Sequence, residues 1–140
     1  QQQHRTLTEQ AANVIAQQKQ TESRLNRALE QLEKLNTNAR QAIIMAEEAQ
    51  KAGDTAKATE YTQAAESIAN QLIVVEGEVE ELKTLALSAA QASDQAKAAV
   101  SQNGMLLQRK LAEKQKLLSQ LEQERERRIV ALRNCCTPGP

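Results

Sequence analysis

From Leu7 to Ala49 the apolar positions return at alternating steps of four and three. The set is Leu7, Ala11, Val14, Gln18, Thr21, Leu25, Ala28, Leu32, Leu35, Ala39, Ala42, Ala46 and Ala49, in which only Gln18 and Thr21 are polar. Side chains spaced this way stack on one side of a helix, giving a narrow seam rather than the wider stripe of a solitary surface helix. A seam held in step for about six heptads predicts a coiled coil. The spacing halts at Ala52-Gly53-Asp54-Thr55. It resumes as Ala58, Tyr61, Ala65, Ile68, Leu72, Val75, Val79, Leu82, Ala86, Ala89, Ser93, Ala96 and Val100, in which only Ser93 is not apolar. Gly53 suits the left-handed residue that closes a helix, and Asp54 accepts hydrogen bonds from the N–H groups that open the next. One unbroken helix through Gly53 is the alternative, at a cost of about 1 kcal/mol, but it leaves the reset of the heptad frame unexplained.

Two heptad helices joined so tightly fold back on each other. The expected fold is all-α: a long antiparallel two-helix coiled-coil hairpin with an extended second helix, forming a single domain over 1–134. The helices should run over about 3–52 and about 55–133, at the usual fuzziness of helix ends, with the tip at Gly53 and Asp54. Pairing about that tip places Leu25 near Leu82 and Leu35 near Leu72, to within about one helical turn. The candidate core is Leu7, Val14, Leu25, Leu32 and Leu35 from the first helix, with Ile68, Leu72, Val75, Val79, Leu82 and Val100 from the second. Alanines on both sides of the tip let the backbones approach closely there. Gly77 falls off the seam, within the acidic run Glu76-Gly77-Glu78-Val79-Glu80-Glu81, which reads as a solvated face.

At Asn103-Gly104 the frame shifts. Continuing the earlier spacing puts Lys110 and Lys114 on the seam, whereas Leu107, Leu111, Leu118 and Leu121 define a displaced stripe, so a stutter or a hinge is expected. Each paired arm spans roughly 75 Å, and residues 105–133 overhang it by roughly 43 Å at the rise of an α-helix. Leu107, Leu111, Leu118 and Leu121 are therefore a candidate assembly surface, covered either by another chain or by an N-terminal extension. The chain opens on Gln1, which reads as a fragment or a processed form.

Composition narrows the picture. Ala, Gln and Leu make up 58 of the 140 residues, with no Phe or Trp, one Tyr, and no Pro before Pro138. That excludes most compact cores, which lean on aromatic volume, and β architectures, which need β-branched strands and frequent turns. Net charge is zero, but unevenly arranged: residues 1–104 carry 10 Lys/Arg against 14 Asp/Glu, and residues 105–140 carry 8 against 4. The basic end invites an anionic surface or a head-to-tail neighbour. Arg109, Lys110, Lys114, Lys116 and Arg125 share their stretch with the leucine stripe, as in an interfacial helix.

No catalytic, cofactor-binding or metal-binding residues are expected. There is no phosphate loop, no HExxH and no nucleophile elbow, and His4 is the one histidine. Neighbouring cysteines such as Cys135 and Cys136 seldom pair with each other, because the short link strains the disulfide. Arg125-Glu126-Arg127-Arg128 is too short and lacks the aromatic residues of a nucleic-acid site, so no nucleic-acid partner is expected.

Specific wording then adds to the pattern. Ser-Arg-Leu-Asn-Arg-Ala-Leu (23–29), Ala-Gly-Asp-Thr-Ala-Lys-Ala-Thr-Glu-Tyr (52–61), Val-Glu-Glu-Leu-Lys-Thr-Leu (79–85) and Lys-Leu-Leu-Ser-Gln-Leu-Glu-Gln (116–123) together resemble the phage shock protein A family, its actinobacterial members above all. The resemblance covers about residues 3–123, and the tip wording is far more specific than a generic heptad. It implies the hairpin of an ESCRT-III-like, cytoplasmic membrane-stress protein that is peripheral to the inner membrane. It also implies partners: further copies of itself, an anionic membrane surface when full-length, and an AAA+ transcriptional activator or other regulator. The family's N-terminal amphipathic helix has no counterpart here, the sequence departs from the family after Gln123, and 135–140 read as a non-family tail. A scaffold without covalent chemistry is the expected function; a generic coiled-coil adaptor or dimerisation module is the competing one.

Overall fold

The computed structural model describes residues 1–136. Two helices account for nearly all of them, α1 (Gln2–Lys51) and α2 (Thr55–Cys136), packed as an all-α helical hairpin. Ala, Gln, Leu and the charged residues that dominate both segments lose little rotamer freedom in a helix. Threonines, usually weaker helix formers, are accommodated by local bonds: Thr21, Thr37, Thr59, Thr62 and Thr84 each donate the hydroxyl to the carbonyl four residues earlier.

The turn is built from three residues. Gly53 adopts φ +78°, a left-handed conformation that costs glycine nothing. Its N–H donates to the Gln50 carbonyl at 3.1 Å, and the Asp54 N–H donates to the Ala49 carbonyl at 2.9 Å. These two bonds form a Schellman closure of α1. Asp54 then opens α2, its Oδ1 accepting from the Lys57 N–H at 3.1 Å while its carbonyl takes the first helical bond, from the Ala58 N–H. One residue thus satisfies orphan groups of both helices. An alanine Cβ at position 53 would meet no atom within 4 Å, so Gly53→Ala is a test of backbone strain alone. It should destabilise the hairpin by about 1–2 kcal/mol, and Asp54→Ala by about 1 kcal/mol, read as lower melting midpoints by circular dichroism. A Gly53→Ala midpoint equal to the parent's would mean that the turn relaxes without the left-handed residue.

The described chain divides into two compact units. The first to consider is Gln10–Ala96, which contains the turn. Its core cluster joins Ala28 with Val75, Val79 and Leu82, and Leu25, Leu32 and Leu35 pack against them. Val79 is the deepest of these, 3% exposed. Ala11, Ala42 and Ala49 are also buried, whereas Val14, Ile68, Leu72 and Tyr61 are half-buried. Small side chains therefore hold the most enclosed positions beside the turn, and branched ones take over where the helices leave more room. Gly77 lies within unbroken helix, with nothing near its Cα side.

Ser93 is the exception in this unit. It is fully buried, and its hydroxyl has no hydrogen-bond partner. A buried hydroxyl without a partner costs about 1–3 kcal/mol, so Ser93→Ala should raise the thermal midpoint. A midpoint below the parent's would show that the hydroxyl is held by a bond.

The other unit joins Gln1–Glu9 to the chain from Lys97 onward. Leu7 and Val100 are half-buried here, together with His4, Asn103, Gly104 and Leu107. The Asn103 amide and the His4 Nδ1 are 3.0 Å apart, a polar layer in the seam. A Cβ on Gly104 would stand 3.7 Å from the His4 ring, ordinary van der Waals contact. No stutter or hinge interrupts α2 at Asn103-Gly104: the first frame continues from Val100 through Asn103 to Leu107. The physical reason is that the Asn103 side chain finds a partner in His4, so a polar seam residue need not break the helix. Nor does α2 stop near 133. It continues through Cys136, because the first strong helix-breaking signal is Thr137-Pro138. Of the tail 135–140, residues 137–140 lie outside the described residues.

Candidate interaction surface

Burial along α2 ends at Leu107. From Gln108 to Cys135 every residue is exposed. Within that stretch Leu111 is 53% exposed, Leu118 54% and Leu121 67%. The helical spacing sets these three on one face, and half-buried Leu107 heads the same line. Lys114 falls between Leu111 and Leu118, and Arg125 follows Leu121, so cations interrupt the apolar stripe instead of flanking it. Lys110, Lys114, Leu117, Leu118 and Leu121 border a shallow surface depression with Glu113. Most helical stability in proteins comes from packing an apolar face, and an uncovered leucine stripe of this extent calls for a packing surface.

A second exposed line lies in the Gln10–Ala96 unit. Ile73, Gly77, Glu80, Thr84 and Leu87 recur at steps of four and three, and all are exposed. At about 100° per residue this line is roughly 140° around α2 from the hairpin seam. Beside the acidic run, the heptad spacing of Ile73 and Leu87 is a signal that alternation by four and three reveals in the sequence. Glu80 pairs with Lys83 at 3.5 Å, and both side chains are more than half exposed. A solvated pair of this kind contributes little stability.

The residues expected from sequence are thus placed as follows. Gly53 and Asp54 form the turn. Leu25, Leu32, Leu35, Val75, Val79 and Leu82 meet in one cluster, while Leu7, Val14, Ile68, Leu72 and Val100 are half-buried outside it. Leu111, Leu118 and Leu121 share an open face, whereas Leu107 is partly covered. Cys135 is exposed and free. Among the described residues no helix is long and apolar enough to cross a membrane.

These features define a helical-hairpin protein whose second helix carries an uncovered apolar and basic face. Comparison with known proteins adds kinship. The chain is 55% identical over 128 residues to the PspA proteins of Mycobacterium tuberculosis strains H37Ra and H37Rv, a match that covers 91% of this chain and 47% of each relative. That identity establishes an actinobacterial, PspA-family relationship, and the chain spans about half the length of the curated relatives it matches. No protein-family model and no solved structure matches the chain.

Proposed function

We propose that this chain is the scaffold hairpin of a PspA-like membrane-stress protein, which self-assembles and supports membrane integrity without covalent chemistry. The observation that carries the reading is the open leucine and lysine face of α2 beyond Leu107, in a chain with PspA kinship along nine-tenths of its length. An apolar stripe supplies the driving force for association. The basic excess of residues 105–140 supplies attraction to anionic headgroups, about 1 kcal/mol for each Lys or Arg near such a surface. The protein is then cytoplasmic and peripheral to the inner membrane, and the same hairpin offers a surface to an AAA+ transcriptional activator.

Sedimentation tests this directly. The chain should sediment as an oligomer, and it should pellet with phosphatidylglycerol vesicles but not with phosphatidylcholine vesicles. A chain that stays monomeric and ignores both would instead be a coiled-coil adaptor.

A further inference from the structure

The two exposed lines on α2 differ in charge. The distal stripe, Leu111, Lys114, Leu118 and Leu121, carries a cation among its leucines, whereas the proximal one, Gly77, Glu80, Thr84 and Leu87, carries a carboxylate at the matching step. Two copies of the distal stripe pair poorly: parallel and in register they set Lys114 against Lys114, antiparallel about Leu118 and Leu121 they set Lys114 against Arg125, and antiparallel with Leu111 on Leu121 they set Lys114 against Leu118, with no carboxylate to meet it. Like charges facing each other in a seam oppose association.

We infer that the distal stripe of one copy docks on the proximal stripe of a second copy, in parallel, so that Lys114 meets Glu80. This deepens the self-assembly reading above and rests on it. The heptad steps of the two lines coincide throughout. Leu111 then falls on Gly77, where open space surrounds the glycine and a large side chain can enter. Leu118 falls on Thr84, whose hydroxyl already donates to the Glu80 carbonyl and leaves its methyl for packing. Leu121 meets Leu87, 63% exposed. Along the flanks Lys110 comes beside Glu81, and Glu122 beside Lys83, so the charges agree there as well. Lys83 gives up its solvated pairing with Glu80 for Glu122, a small loss. The two stripes are different surfaces, so the contact is head-to-tail and leaves one stripe of each kind free in a pair. The docked segments are offset by about 34 residues of sequence, so each added copy leaves a stripe open to the next.

Charge reversal in the 140-residue chain tests the pairing. Lys114 and Glu80 are both exposed, so neither substitution disturbs the hairpin core, and circular dichroism should show unchanged melting. Sedimentation velocity should show association weakened about tenfold or more, at 1.4 kcal/mol per decade, in Lys114→Glu and in Glu80→Lys. Combining both reversals in one chain, or mixing the two single variants, should restore it. Parent-like association in either single variant overturns the inference while leaving self-assembly to another surface. Failure of the double variant to recover overturns the pairing too. If Lys114→Glu loses binding to phosphatidylglycerol vesicles but associates normally, the distal stripe faces lipid and the inference is wrong. A parent chain that is monomeric at every concentration removes both this inference and the self-assembly reading.

Discussion

Val79→Asp is expected to unfold most of the Gln10–Ala96 hairpin, with a loss of about 3–5 kcal/mol, the usual cost of an uncompensated buried charge. Val79 is 3% exposed and packs with Ala28, Val75 and Leu82 in the buried core of the seam. Arg24 and Arg27 border a surface groove beside Ala28 and Leu82, but they share it with Glu78, so the new carboxylate gains no dedicated partner. Folded domains are stable by only about 5–15 kcal/mol, and one such change removes a large part of that. Circular dichroism should show a far lower melting midpoint for Val79→Asp, with Val79→Ala, which only removes packing, falling between it and the parent. Leu32→Asp should be milder, because position 32 is half-buried and the new carboxylate can turn toward water. Equal melting of Val79→Asp and the parent would remove Val79 from the core.

Replacing Leu111, Leu118 and Leu121 together by Ser should abolish self-association and leave the hairpin folded. All three are more than half exposed and outside the buried core, so their removal takes nothing from the core of the hairpin. Each leucine buried at an interface contributes about 1.5–3 kcal/mol, enough in combination to shift micromolar association beyond detection. Analytical ultracentrifugation of the triple variant beside the parent decides the matter. The same oligomer distribution in both would show that the stripe is not the assembly surface. Reduced association with a lowered melting midpoint would show that the stripe also stabilises the fold.

Much of this was legible in the residue order. Every member of the two heptad lines is buried or half-buried, from Leu7 to Ala49 and from Ala58 to Val100. Gly53 and Asp54 carry the turn in their own chemistry, since only a residue tolerant of positive φ closes the Schellman bonds and only a short polar side chain caps the next helix. Local interactions of this kind need no knowledge of distant residues. The path of α2 through Asn103-Gly104 was not legible, because an Asn beside a Gly reads as a break until a partner is known. That partner is His4, ninety-nine positions away.

The sequence by itself determined the helices, the turn, the seam and the uneven charge, because each follows from spacing and from bonds made within a few residues. Tertiary structure decided which seam positions are deepest, that Ser93 is enclosed without a hydrogen-bond partner, and that His4 and Asn103 form a polar layer. It also decided where cover along α2 ends, at Leu107, leaving the leucines beyond it open. These outcomes depend on how close two backbones come and on which residue of one helix faces which of the other. A heptad pattern states only that a face is apolar; burial depends on what is packed against it.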